Sequence, residues 1–575
     1  MYLISWVAIS SSPTASQRPA VSPSGHILTS VNILELLAEI IVPTVSCIPA
    51  EAHPRRASAK LAADPQHAFR LLSHNAKVPI NRLPGELLFK IFYVHKLSSA
   101  LRIGLTHVCH HWRELALTSP LLWTAICLED KVEFVDACLR RSAVAPLTIV
   151  SRCYIQDELA LMKFIAPHIG RIRALDLRSL STSAAEALMR QLRGSKGLME
   201  SVTLHVHPGC RSLTTPTFVL ARNSTRQLRS LSLGGIAIAA PSSPLTALTR
   251  LDLTDTFLAS TATIDDILDL LENCPRLETL SINERCRRFP VKSKSADRRV
   301  SISNLRHMQL AAHTALISGL LSCIILPSDT TLEIKCLIST HGVSPASIRT
   351  VLPDGLGGLG NLAAIRSLHV FVSSNIFRIR AYDMVGSAAI KKLDMDFDND
   401  PPADMSSMLP QALVELARSF TSRGVRDLQI VGDYGLLTEG VWREMFAHLP
   451  YIQDIEIGSR GTVNKLFAAL LAPSSADATD PSFCRDLRRI YIRGAQLDVD
   501  SAARMSTLVA NRSLQNRRLD TLALSCYQRV RWFLHFQMMV KRSRLWVSRF
   551  QFREDWISMV RCTNRCPISS VWSYR

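Results

Sequence analysis

One pattern of apolar positions recurs along most of this chain, a hexad of the form apolar–x–x–apolar–x–apolar. It appears as Ile172-Leu175-Leu177, Met199-Val202-Leu204, Leu228-Leu231-Leu233, Leu248-Leu251-Leu253, Leu277-Leu280-Ile282 and Leu305-Met308-Leu310. It continues as Ile365-Leu368-Val370, Ile390-Leu393-Met395, Val425-Leu428-Ile430, Ile452-Ile455-Ile457, Leu487-Ile490-Ile492 and Leu519-Leu522-Leu524. Copies mostly start 25–35 residues apart, with one interval of 20 and one gap of 60 after Leu305. Inside that gap, Leu332-Glu333-Ile334 fits a decayed copy. The alternation closing each hexad puts two side chains on one face of a strand. Helical spacing precedes several copies. Ile264, Ile267, Leu268 and Leu271 share a face before Asn273-Cys274-Pro275 turns the chain into Leu277, and Val441–Leu449, closed by Pro450, leads into Ile452. One strand–helix unit cannot bury its own apolar side, so the units are expected to stack on a shared core. A globular α/β domain with a parallel sheet is the alternative.

A different pattern occupies Pro79–Leu128. Pro84 suits the first turn of a helix, where its missing N–H is not needed, and Leu87, Leu88, Ile91 and Phe92 follow at helical spacing. Leu101, Ile103, Leu105 and Val108 form a second run, and Trp112, Leu115 and Ala116 a third. Ser119-Pro120 stops it, and Leu121-Leu122-Trp123 supplies an apolar anchor. Three short helices make a core below the size that usually stands alone. Such a module favours a partner over part of its apolar surface.

These residues resemble the F-box. Its pattern is present as Leu83-Pro84-Gly85-Glu86-Leu87-Leu88, Ile91-Phe92, Val108-Cys109-His110-His111-Trp112 and Leu122-Trp123. The resemblance implies docking onto the Skp-type adaptor, and through it a cullin, of a Skp–cullin–F-box ubiquitin ligase. Leu83, Pro84, Glu86, Leu87, Leu88, Ile91, Phe92, Val108, Cys109, Trp112, Leu122 and Trp123 would then supply the F-box core and the adaptor-facing surface, with the division between the two left open. The hexads resemble the long, irregular leucine-rich repeats that accompany F-boxes, best at Asn273-Cys274-Pro275-x-Leu277-Glu278-x-Leu280-x-Ile282. The expected fold is α/β, a small three-helix F-box followed by an irregular leucine-rich-repeat-like solenoid.

Around these two patterns the chain divides into 1–76, 77–128, 129–152, 153–526 and 527–575. In the first, Ile33, Leu36, Leu37, Ile40 and Ile41 suit a short helix ahead of Pro43, too short to span a bilayer, and the remainder is expected to be partly disordered. Residues 129–152 hold a connecting helix, with Phe134, Val135, Cys138 and Leu139 at helical spacing, and the strand Leu147–Val150. In 527–575 Trp532, Trp546, Trp556 and Trp572 are interleaved with arginines, and the hexads are taken to end at Leu524. This stretch is read as a disordered tail or a misread exon boundary, ahead of a packed cap or a contact with nucleic acid or anionic membrane.

Composition narrows the chemistry. Of the net charge of +19, most lies after Cys484, where 18 Lys/Arg face 6 Asp/Glu, so basicity is local. The 14 cysteines contain no C-x-x-C, which fits reduced thiols in cytoplasm or nucleus and argues against a zinc-ring module. His107, Cys109, His110 and His111 are ligand-type residues, but consecutive helical positions diverge, and Cys562/Cys566 lack a second ligand pair. Gly355-Leu356-Gly357-Gly358-Leu359-Gly360 spells a phosphate-loop pattern without the strand before it or the helix after it, and is read as a flexible loop. No cofactor, metal or catalytic set is expected. The function expected is that of a non-catalytic substrate receptor, with a target protein on the repeats. The alternative is a repeat scaffold whose F-box does not engage the adaptor.

Overall fold

The computed structural model describes residues 73–75, 77–94, 98–193, 198–210, 216–218, 226–238, 245–256, 263–284, 298–339, 348, 351–353, 356–374, 376–386, 388–400, 406–421, 424–471, 484–526 and 547–554. The expected helix at Ile33–Ile41 and the Cys562/Cys566 pair lie outside them. The chain is mixed α/β and forms two compact units. One is Met1–Leu180 with Leu198–Val202, the other Ser181–Gly197 with Thr203–Arg575.

In the first unit, α1 (Gly85–Val94), α2 (Ser99–Val108) and α3 (His110–Thr118) follow one another closely. The Pro84 carbonyl accepts from Leu87 and Leu88 N–H and so starts α1. Ser98 Oγ accepts from Leu101 N–H at 3.4 Å to cap α2. Cys109, extended at φ −157°, ψ 170°, breaks α2 from α3. A 3₁₀ turn at Pro120–Trp123 leads into β1 (Ala125–Cys127), α4 (Val132–Arg141), β2 (Leu147–Ser151), α5 (Glu158–Ile165) and β3 (Ile172–Leu180). The three strands are parallel, with Ile126 beside Ile149 and Ile149 beside Leu175.

The hexads of the second unit become strands. β4 (Ser201–Val206) carries the Met199 copy across the boundary between the units. Then β5 (Ser230–Gly234), β6 (Arg250–Thr254), β7 (Thr279–Asn283), β8 (His307–His313) and β9 (Thr331–Ser339) pair in parallel. Leu231, Leu251, Leu280, Met308 and Leu332 align across them, each at 0% exposure. Burial of such a side chain stabilises by about 1.5–3 kcal/mol. The decayed copy at Leu332 is therefore a full member of the ladder. A capping box starts the helix Ile264–Glu272, the Asp266 carboxylate accepting from Thr263 N–H at 2.7 Å. Asn273 Nδ2 donates to Asp269 O at 2.7 Å and satisfies one of the last helical carbonyls. That is the physical content of the Asn-Cys-Pro signal.

Beyond β9 the spatial order leaves the chain order. β10 (Ile365–Val372), β11 (Phe377–Val385) and β12 (Ala388–Asp400) form an antiparallel meander, in which β11 runs against both neighbours. It is β12 that pairs with β9, placing Leu393 beside Leu332, and β10 that pairs with β13 (Asp427–Val431). The hexads at Ile365 and Ile390 are thus not joined by a strand–helix unit. The 25 residues between their starts hold a third strand in place of a helix, and the chain returns as a hairpin strand. Parallel pairing then resumes through β14 (Asp454–Thr462), β15 (Arg489–Gln496), β16 (Leu519–Cys526) and β17 (Val547–Glu554). Helices Leu409–Ser419, Glu439–His448, Asn464–Leu471 and Val499–Leu514 pack each on the next.

Two expectations need correction. β17 lies inside 527–575, beyond the last expected hexad at Leu524. Val547, Phe550 and Phe552 stand opposite Leu519, Leu522 and Leu524, so one further copy continues the ladder. The other residues of 527–575 fall outside the described ones. In the glycine-rich stretch, Leu356–Gly360 is not a free loop. Leu326 N–H donates to Gly358 O and Gly360 N–H to Leu326 O, and a Cβ at Gly360 would stand 2.6 Å from that carbonyl. The glycines allow two backbones to close together.

Candidate functional site

The three-helix segment separates residues that its sequence left together. Leu88, Phe92, Trp112, Leu122 and Trp123 are buried. Leu83, Ile91, Val108 and Cys109 are half-buried, while Pro84, Glu86 and Leu87 are exposed. Leu87 retains 45% of its surface, Tyr93 48%, Ile103 42% and Leu121 43%, a large share of open apolar side chain for so small a core. Cys109, expected in the core of a helix, is instead the non-helical residue ahead of α3. His110 lies 3.8 Å from Glu114, and among the described residues no three His, Cys, Asp or Glu are placed to hold a metal ion.

The buried tryptophans are fixed by ring contacts and by their N–H groups. Phe92 and Trp112 meet with centroids 4.8 Å apart. Trp112 Nε1 donates to Asn81 Oδ1 at 2.6 Å, and Asn81 Nδ2 to Asn75 O at 2.9 Å. Trp123 Nε1 donates to Ala116 O at 2.8 Å. Asn81 is a functional support that the apolar pattern does not reveal.

The three helices are joined to α4 by another residue the pattern misses. Arg102, 5% exposed inside the apolar run of α2, donates to Ser99 Oγ at 3.3 Å and Leu122 O at 3.4 Å. Its guanidinium lies 5.5 Å from the Phe134 ring on α4. From α4, Arg141 covers the Trp123 ring at 4.5 Å. Ser99 also donates to Asp130. Next to it, Glu129 gathers the Cys127 thiol, the Arg152 and Cys153 N–H groups and the Ser151 hydroxyl. Burial pushes the Glu129 carboxyl up, but those donors outweigh it and hold it at about 2.

In the second unit the sheet positions between the buried leucines are polar and largely self-neutralised. Lys391 Nζ lies 3.0 Å from Glu333 and 2.8 Å from Asp394, Arg380 3.3 Å from Asp394, and Lys335 2.9 Å from Asp398. Arg378 pairs with Asp396. Within this row, burial and the neighbouring Arg380 hold His369 down at about 4, so it is neutral at physiological pH. No helix among the described residues is long and apolar enough to cross a membrane.

Compared with known families, residues 80–129 match the model described as F-box-like. No curated protein matches the chain. F-box domains generally bind Skp-type adaptors, so the domain suggests a role in ubiquitin ligase adaptor binding.

Proposed function

We propose that the chain is the substrate-recognition subunit of a Skp–cullin–F-box ubiquitin ligase, acting in cytoplasm or nucleus. The F-box-like match at 80–129 carries this reading, together with the apolar side chains Leu87, Tyr93, Ile103 and Leu121 left exposed on a very small core. Adaptor binding would cover such groups. The strand–helix units after Ser181, read as irregular leucine-rich repeats, would present the target protein.

The role is positioning, not transfer. A ligase receptor accelerates the reaction by holding the target near a charged conjugating enzyme. The thiols of Cys274 and Cys484 are pushed up to about 12 by burial, and that of Cys336 is pushed up further. Such thiols are poor nucleophiles, so these three offer no thioester site. Co-purification of the full chain with a Skp-type adaptor tests the reading. A stoichiometric complex that is lost in the Leu83→Ala/Pro84→Ala variant is expected. A folded chain with no complex contradicts it.

A further inference from the structure

The second residue of the hexad enters each strand, and it is arginine in six of the twelve copies, at 173, 229, 306, 366, 426 and 488. Backbone hydrogen bonds stack these positions rung on rung. Arg426 N–H donates to Arg366 O, Gln453 N–H to Arg426 O and Arg488 N–H to Gln453 O, each at 2.7 Å. Asp520 N–H closes the run on Arg488 O at 2.8 Å. One such arginine is neutralised by the acid on the next rung. In the first unit Arg173 lies 2.8 Å from Glu200, whose N–H bonds Arg173 O. The four rungs from Arg366 to Arg488 hold no acid.

The adjoining acids do little to neutralise them. Asp454 is taken by Arg489. Asp427 is pushed up to about 7 by burial and by a hydrogen bond with Asp454, so it is partly uncharged beside Arg426. The Arg366 guanidinium is tethered to Gly424 O at 3.4 Å, while the exposed guanidinium groups of Arg426 and Arg488 have no hydrogen-bond or ion-pair partner among the described residues. Tyr451, 56% exposed, stands in the turn just before Gln453.

We propose that Arg366, Arg426, Gln453 and Arg488, with Tyr451 beside them, form a docking edge for an extended, carboxylate-rich segment of the target protein. The identity of that partner as a target rests on the receptor reading above; the chemistry of the edge does not. Parallel strands about 4.8 Å apart place Arg426 and Arg488 about 10 Å from one another, with an amide between them. Each guanidinium can take a carboxylate in a forked pair. A nucleic acid brings an unbroken line of phosphates, and that line would run onto Asp520 and the nearby Asp486.

The test measures fluorescence anisotropy of the full chain with a labelled peptide of alternating glutamate and alanine. Its glutamine counterpart and an oligouridylate serve as the other probes. The edge predicts binding of the glutamate peptide alone, about tenfold weaker in Arg426→Gln/Arg488→Gln, and weakened by Tyr451→Ser. Arg229→Gln/Arg306→Gln, at the same hexad position elsewhere, should change it less than about twofold. Undiminished binding in the first variant, or equal binding of the glutamine peptide, overturns the proposal. Preference for oligouridylate overturns it in favour of a nucleic-acid edge. Arg426→Gln/Arg488→Gln should still co-purify with the adaptor. Glutamate-peptide binding by a chain that never engages the adaptor would refute the target assignment and leave the edge standing.

Discussion

Trp112 donates its indole N–H to Asn81 Oδ1 at 2.6 Å, tying the buried centre of the three helices to the turn that precedes them. Trp112→Ala would cost about 3–5 kcal/mol through the cavity it leaves. Asn81→Ala would cost about 1–3 kcal/mol by stranding a buried donor. Hydrogen exchange should show both changes concentrated in 85–118, with the strands of the second unit little affected.

Glu129 gives the first unit an acid-labile joint. Its folded pKa, about 2, lies below the ordinary value of 4.5. The stabilisation is therefore present above pH 4.5 and is lost as pH falls toward 2. Glu129→Gln should loosen 125–153 at neutral pH and flatten the acid dependence of exchange there. An unchanged acid profile would show that the carboxylate contributes nothing.

Arg378 and Asp396 face each other in register across β11 and β12. Arg378→Glu should destabilise the meander by about 1 kcal/mol or somewhat more through like charges placed opposite. Adding Asp396→Arg should recover most of it. A double-mutant cycle in denaturant reads the coupling; strict additivity would count against the pair.

β17 shields the ladder groups of β16, with Thr521 beside Arg549 and Ala523 beside Gln551. Truncation after Cys526 should expose that edge and increase concentration-dependent association, measured by light scattering.

Much of this architecture is legible in the hexads, because two apolar side chains on one face of a strand leave a period that survives sequence drift. The meander is less so. Phe377, Ile379 and Ala381 alternate inward and are wholly buried, but nothing local tells a reversed strand from a parallel one, and the 25-residue interval between the flanking hexads is ordinary for the series. Val547-x-x-Phe550-x-Phe552 satisfies the same motif, hidden by the tryptophans and arginines around it. In the candidate site, spacing locates the helices but does not divide Leu88, which is buried, from its exposed neighbour Leu87. That division comes from tertiary packing. Arg102 is the clearest case, a cation in an apolar run whose burial depends on Leu122 and Phe134 far along the chain.

The most direct measurement is co-purification of the full chain with a Skp-type adaptor, beside Leu87→Asp, which charges an exposed side chain while Leu88 keeps the core. An equimolar complex that Leu87→Asp abolishes, with hydrogen exchange of α1–α3 unchanged, is the predicted result. A folded chain that leaves the adaptor unbound, or a complex indifferent to Leu87→Asp and to Leu83→Ala/Pro84→Ala, would contradict the account.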